Sequence, residues 1–371
     1  MIKRLGTGLV LFSIALGAGA QMTDDEQSFE GTIMRIEEIS CENTEGACRQ
    51  LTVMPDDPAF GTDAIGIEVS PGDALGGNMP QYKEGQHVII QTQVVNGQRQ
   101  YFVSDIVRRP VLAWLCILFI AAVILFGGFA AVRSFLGMII SFAVLLAFIL
   151  PRILAGDSPV LIALMGSSAI MVITFIVCHG WNRKMLAALG GTGASLLVTA
   201  FLAYAFSVYA TLTGSADEEM LFLLADFPLL DTRGILLAGI IIGSLGVLDD
   251  VTIAQASAVF ELRKANALMT VKQLYTSAYR IGADHIAAAV NTLVLAYAGT
   301  ALPLLLLVVG VSAGESWYTF INREMIAQEI VRTLVGSIGL LAAVPLTTIF
   351  AVLLAVRTPS STIAAGRGHT H

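Results

Sequence analysis

Apolar and polar positions follow two different rhythms along this chain. Residues 21–107 alternate with a period of two in short runs: Phe29–Ile39, Gln50–Met54, Ile65–Val69, Gln86–Val95 and Tyr101–Val107. Gly, Pro, Asn and Asp cluster between these runs, and Asn96-Gly97 joins the last two as a two-residue hairpin turn would. Five short strands in so little chain predict a small antiparallel barrel or sandwich, with an OB-like barrel as one form of it. The long Gly/Pro-rich stretch Ser70–Gly85 reads as a loop, and His87 reads as a strand residue.

From Pro110 onward the rhythm changes to long apolar runs. They are Pro110–Gly127, Ser134–Leu150, Pro159–Cys178, Leu186–Ala210, Gly234–Leu248, Ile286–Val311 and Thr333–Val356. A helix crossing the hydrocarbon core of a bilayer needs about 20 residues. The fold class predicted is an all-α polytopic membrane domain of about seven transmembrane helices. A small N-terminal all-β extracytoplasmic domain precedes it. Pro303 and Pro345 are expected to bend the sixth and seventh helices.

Composition agrees with this division. Of 371 residues 56% are hydrophobic and 13% charged, and mean hydropathy is +0.77. The net charge of −7 argues against a nucleic-acid partner, which needs a basic face. Residues 21–107 hold fifteen acidic and four basic side chains, and the rest hold thirteen and seventeen. An acidic exported piece is therefore joined to a weakly basic apolar one.

The N-terminus explains the export. Lys3 and Arg4 precede an apolar stretch, and Ala18-Gly19-Ala20 forms an A-x-A cleavage site. Residues 1–20 read as a signal peptide or as a retained signal anchor. Both place residues 21–108, the β domain, outside. The helical domain then occupies 109–357 and a polar tail 358–371. Nine Lys/Arg fall in segments this topology makes cytoplasmic and six outside, in line with the positive-inside rule. The expected location is the bacterial cytoplasmic membrane, with the C-terminus inside. Outside the cytoplasm Cys41 and Cys48 are expected to form a disulfide; two free thiols or a metal clip is the alternative. Cys116 and Cys178 read as packing residues.

Few polar residues interrupt the apolar runs, which makes each one informative. Asp249-Asp250 follows the short run Gly234–Leu248, and an uncharged stretch to Phe260 comes next. Read as one helix, Gly234–Phe260 places both carboxyls in the membrane, at about 2.5–3.5 kcal/mol each on insertion scales. A cation, a proton or a water-filled cavity would then have to receive them. Asp250, Ser257 and Glu261 share a face, with Gln255 on a second polar edge. Gly239, Gly243 and Gly246 make the preceding half resemble a broken transporter helix. The alternative ends the helix near Leu248, with an Asp capping a surface helix. The next block holds Asp284, His285 and Asn291, residue types that bind a cation or pass a proton. Its alternative makes Asp284 a helix cap and Asn291 interhelical glue. Gly190, Gly191, Gly193 and Ala194 offer a small-residue packing face. No P-loop, HExxH, GxSxG or GxGxxG pattern occurs, so no nucleotide cofactor is expected.

Two of these blocks carry a family resemblance. The stretch from Gly243-Ser244-Leu245-Gly246 through Asp249-Asp250 to Glu261-Leu262 is similar to the signature of the YibE/F-like membrane proteins. So is Ile281-Gly282-Ala283-Asp284-His285, continuing through Asn291 to Gly299. Ala267 and Ala288 depart from the proline and serine common at those places. The resemblance covers roughly 110–356 and implies a bacterial multi-pass membrane protein, often with an extracytoplasmic β domain. It implies fold and location rather than a reaction.

Three functions follow as expectations. The first is a permease or exporter driven by a proton or cation gradient. Asp249, Asp250, Asp284, His285 and Asn291 would form its coupling site, with Gln255, Ser257 and Glu261 secondary. Its partners would be the bilayer and a small solute or ion. The second is a non-transporting envelope scaffold whose β domain binds an extracytoplasmic protein. The third is an intramembrane hydrolase using Asp250 and Asp284. The chain is otherwise expected not to be an enzyme.

Overall fold

A computed structural model describes residues 27–40, 47–61, 63–70, 81–95, 98–311 and 316–357. The signal segment, Cys41, the Asn96-Gly97 turn and the tail from 358 lie outside the described residues, as does most of the Ser70–Gly85 loop. The chain forms two units, residues 1–126 and 127–371.

The first unit is built on five antiparallel strands in the order β3-β2-β1-β4-β5. They are β1 (Gln27–Ser40), β2 (Ala47–Pro55), β3 (Ile65–Val69), β4 (His87–Val95) and β5 (Gln98–Ile106). All five correspond to the predicted runs. β1 is the hinge of the sheet: its first half pairs with β4 and its second with β2. Gly31 sits where the two pairings overlap. A Cβ there would lie 2.7 Å from Val53 Cγ1 and 2.9 Å from the Met54 carbonyl, so only glycine lets the neighbours approach. β3 and β5, the two sheet edges, come near each other, as in a partly open OB-like barrel. Period-two alternation supplies the core: Phe29 and Ile33, Leu51 and Val53, Ile67 and Val69, Val88 and Ile90. Burying each such side chain stabilises by roughly 1.5–3 kcal/mol. Phe29 stacks on Phe60 with ring centroids 4.6 Å apart.

Among the described residues, seven helices have the length and apolarity to span a membrane. They are α1 (Arg109–Gly128), α2 (Ala131–Leu154), α3 (Pro159–His179), α4 (Arg183–Tyr209), α6 (Thr232–Ala265), α7 (Val271–Thr300) and α10 (Glu324–Val356). Shorter helices intervene: α5 (Glu218–Asp226), α8 (Leu302–Val311) and α9 (Trp317–Ile321). Gly128 separates α1 from α2 with φ 56° and ψ −148°, a conformation that glycine alone adopts without strain. Two spans start well ahead of their predicted runs. α10 starts nine residues before Thr333, and α7 starts at Val271 rather than Ile286. α7 then stops at Thr300, so the predicted Ile286–Val311 run is two helices parting just ahead of Pro303. A proline cannot donate into the preceding turn and disfavours helix at the residue before it. Pro345 lies inside α10.

In the second unit α4, α6 and α10 pack most closely on one another, with α3 against α6 and α7 against α10. Small residues permit this. A Cβ on Gly191 of α4 would collide with Thr347 of α10, and one on Gly339 of α10 would collide with Thr199 of α4. Such close backbone approach is how helices associate where lipid is as apolar as the side chains.

Candidate functional site

The polar blocks lie on α6 and α7, and α6 is continuous. Asp231 caps it, accepting the Gly234 N–H at 2.9 Å, and it runs 34 residues to Ala265. Gly239, Gly243 and Gly246 do not interrupt it, so the broken-helix expectation is corrected. An interior glycine costs about 1 kcal/mol of propensity. A bilayer penalises an open backbone by several kcal/mol per group, so the helix stays intact. The capping alternative fails as well: Asp249 and Asp250 stand mid-helix. The same holds on α7, where Thr270 and Gln273 form a capping box and the N-cap Thr270 lies fourteen residues ahead of Asp284. The turn between the helices needs no proline at Ala267. Asn266 accepts the Leu268 N–H at 3.0 Å, and Arg263 donates to the Met269 carbonyl at 2.8 Å.

Asp249 and Asp250 differ although adjacent. Asp250 is exposed, while Asp249 is partly enclosed and its Oδ1 is buried without a hydrogen-bond partner. Residues advance about 100° each around a helix, so Asp249 points away from Val247 and Val251. Those valines face α7 and α10. Asp249 instead lies within electrostatic range of Cys178 at the end of α3, and Asp250 within range of His179. The Cys178 thiol donates to the Arg133 carbonyl at 3.6 Å, tying α3 to the start of α2. Below Asp249 the helix contacts are polar. Thr252 hydrogen-bonds Thr192 of α4 at 2.6 Å and donates to the Asp249 carbonyl at 3.2 Å.

The second block does not meet the first. Ile286, Ala289, Val290 and Leu293 of α7 pack toward α6 and α10. At about 100° per residue Asp284 and Asn291 then project from the opposite side. Asp284, His285 and Asn291 are all exposed. The expectation of one site combining both blocks is therefore corrected. The cause is geometric: residues that enclose α7 occupy the face opposite its polar one. A two-aspartate hydrolase would need Asp250 and Asp284 to converge, and Asp284 faces away.

The secondary candidates divide similarly. Gln255 is buried, and its Nε2 donates to the Ala278 carbonyl at 2.9 Å and to Thr348 Oγ1 at 2.7 Å. That single side chain joins α6, α7 and α10. Gly282 of α7 leaves room for it: a Cβ there would lie 2.5 Å from Gln255 Oε1. Ser257 is half-buried, and exposed Glu261 pairs with Lys264 at 2.7 Å. Among the described residues, no group of three His, Cys, Asp or Glu side chains is placed to hold a metal ion. Cys48 is buried at the start of β2 and is not among the free cysteines. Its expected partner Cys41 lies outside the described residues. In the same sheet His87 is more than a strand residue. Its Nδ1 lies 2.9 Å from Asp56 Oδ2, and Thr32 Oγ1 donates to Asp56 Oδ1 at 2.7 Å.

Two carboxylates of α10 escaped the sequence reading because they precede the apolar run beginning at Thr333. Glu324 accepts the N–H of Gly214 at 3.0 Å and the Thr213 hydroxyl at 2.8 Å, fixing the turn after α4. Glu329 pairs with Arg332 at 2.8 Å through Oε1, while its Oε2 is buried without a partner. A charge pair spaced i, i+3 ahead of a hydropathic run was the available signal.

The family model for YibE/F-like protein matches residues 115–357. Searches of curated proteins and of solved structures each returned no match. The matched region contains α2 to α10 with both polar blocks and covers well over half of the chain, whose described residues form seven membrane-length helices. This multi-pass membrane protein therefore belongs to the YibE/F-like family.

Proposed function

We propose that this protein is a proton- or cation-coupled transport protein of the bacterial cytoplasmic membrane, with Asp249 as its coupling carboxyl. The observation that supports this is the buried Oδ1 of Asp249, which has no hydrogen-bond donor, in the middle of the most enclosed span. A carboxyl oxygen in that setting is disfavoured as a bare anion and calls for a proton or a cation. Exposed Asp250 beside it gives that proton or ion a polar exit. Gln255 holds the helices around the site rather than handling the ion. Asp284, His285 and Asn291 act apart from it. The excess of Lys/Arg at one set of helix ends supports the β domain outside and the C-terminus inside.

Vesicles loaded with a pH-sensitive dye test the reading, with Na⁺, K⁺ or pH gradients imposed across them. Asp249→Asn abolishes gradient-driven proton movement, and Asp250→Asn retains most of it. Unchanged flux in Asp249→Asn would remove the coupling role.

A further inference from the structure

The polar residues of α7 stand on its outer face, at the depth of the bilayer centre. α7 has 30 residues and is about 45 Å long. Asp284 lies thirteen residues from Val271 and sixteen from Thr300. A hydrocarbon core about 30 Å thick includes it wherever that core is laid along the helix. The hydrogen bond from Gln255 to the Ala278 carbonyl gives the same depth. Six residues from each partner, counted away from the turn that joins the two helices, stand Asp249 and Asp284. Asp249 turns into the protein, and Asp284 turns out.

Arg280, Asp284, Ala287, Ala288 and Asn291 form one exposed stripe, spaced i, i+4, i+7, i+8 and i+11. His285 is exposed beside it. Among the described residues, none hydrogen-bonds or ion-pairs with the side chains of Arg280, Asp284, His285 or Asn291. Hydrocarbon is the wrong neighbour for such a stripe, because ionisable side chains within spans face protein or water and pair there. Helix α1 could not serve, since residues 110–128 hold no charged or amide side chain.

We propose that this face of α7 is where two copies of the chain pair, α7 against α7. Copies inserted the same way round are related by a twofold axis along the membrane normal, so the two helices run parallel and each contact occurs twice. The stripe complements itself under that operation. Arg280 lies four residues, about 6 Å, before Asp284, within the reach of an arginine side chain. Arg280 of each copy therefore meets Asp284 of the other, forming two reciprocal charge-assisted pairs. Asn291 meets its own counterpart at the axis, and an amide both donates and accepts. Ala287 and Ala288 between them let the two backbones approach, as small residues do at membrane interfaces. Opposite charges on one face favour a second copy over a partner of single sign, and the mid-membrane depth puts Asp284 beyond lipid headgroups. The inference stands apart from the Asp249 coupling reading, because the two faces share no residue.

Full-length protein in liposomes at a low protein-to-lipid ratio tests it, with Cys116 and Cys178 changed to Ala. Ala288→Cys and Asn291→Cys should each give a disulfide-linked dimer on mild oxidation. Leu197→Cys, exposed on α4, should stay monomeric. Charge reversal in differently tagged chains tests the pairing itself. Arg280→Asp and Asp284→Arg should each lose self-association, since like charges then meet across the axis. Co-expressed, the two variants should capture one another, because each chain then carries one sign only. Pairing within a chain cannot produce that rescue. Equal cross-linking at Leu197→Cys and Ala288→Cys, or a monomer throughout, would overturn the interface. Failure of the co-expressed variants to capture one another, or unchanged self-association in either alone, would overturn the Arg280–Asp284 pairing.

Discussion

Adding one methyl group to α4 separates two glycines that look equivalent in sequence. A Cβ on Gly191 would lie 2.7 Å from Thr347 Cβ and 2.8 Å from Thr347 Cα, and it would collide with Oγ1 as well. The clash with Cα is with backbone, so no rotamer change relieves it. Gly193, half a turn on, has Met171 Cε as its nearest neighbour at 3.9 Å, an ordinary contact. Both Gly→Ala changes gain about 1 kcal/mol of helix propensity. Only Gly191→Ala meets the overpacking cost, typically about 1–3 kcal/mol. Because the propensity gain is common, the difference between the variants isolates the clash at roughly 1–3 kcal/mol. Reversible unfolding in mixed detergent–SDS micelles, followed by tryptophan fluorescence, measures it. Gly193→Ala should match or exceed the parent protein, and Gly191→Ala should fall below Gly193→Ala by that margin. Thr347→Ala in the Gly191→Ala background should recover part of the loss. Thr347 Oγ1 is buried without a partner, so its removal forfeits no bond. Equal stability of the two glycine variants would refute the close α4–α10 packing.

Two further predictions concern the β domain. Partial burial pushes the Asp56 carboxyl up, but hydrogen bonds from Thr32 and His87 and the His87 charge more than offset it, leaving it below its ordinary value. A depressed carboxyl stabilises the fold above its unfolded value of about 3.9 and loses that contribution as pH falls through the folded value. Urea unfolding of residues 21–108 should therefore weaken below about pH 4, and less steeply in Asp56→Asn. Cys41→Ser should abolish a mobility shift between reducing and non-reducing gels. It should also cost about 2–3 kcal/mol for opening an eight-residue loop. An unshifted parent protein would show that the pairing does not form.

How much was legible depended on whether the signal was local. The β domain was readable strand by strand, because alternation in Leu51/Val53 and Val88/Ile90 records which side of a strand is buried. The seven spans were readable from apolar length. Their ends were less so. The first turns of α7 and α10 are polar helix, invisible to a search for apolar runs, and that is where Glu329 lay unseen. Gly190, Gly191 and Gly193 were recognised together as a packing face. Only their neighbours distinguish them: Phe350 beside Gly190, Thr347 against Gly191, and loose space at Gly193.

Sequence by itself determined the two-part architecture, the seven apolar runs from Pro110 onward, the family and the short list of polar residues that interrupt the apolar background. Tertiary structure decided which of those residues belong together. In a span that is apolar all round, lipid-facing and protein-facing sides have the same composition, so the pattern carries no record of facing. Asp249 and Asp284 therefore looked like two halves of one site. Packing of Val247 and Val251 against α7, and of Ile286 and Val290 against α6 and α10, turned the two carboxyls to opposite sides. The same packing gave Gln255 a joining role that its type and position did not announce, because its hydrogen-bond partners come from helices 23 and 93 residues away in sequence.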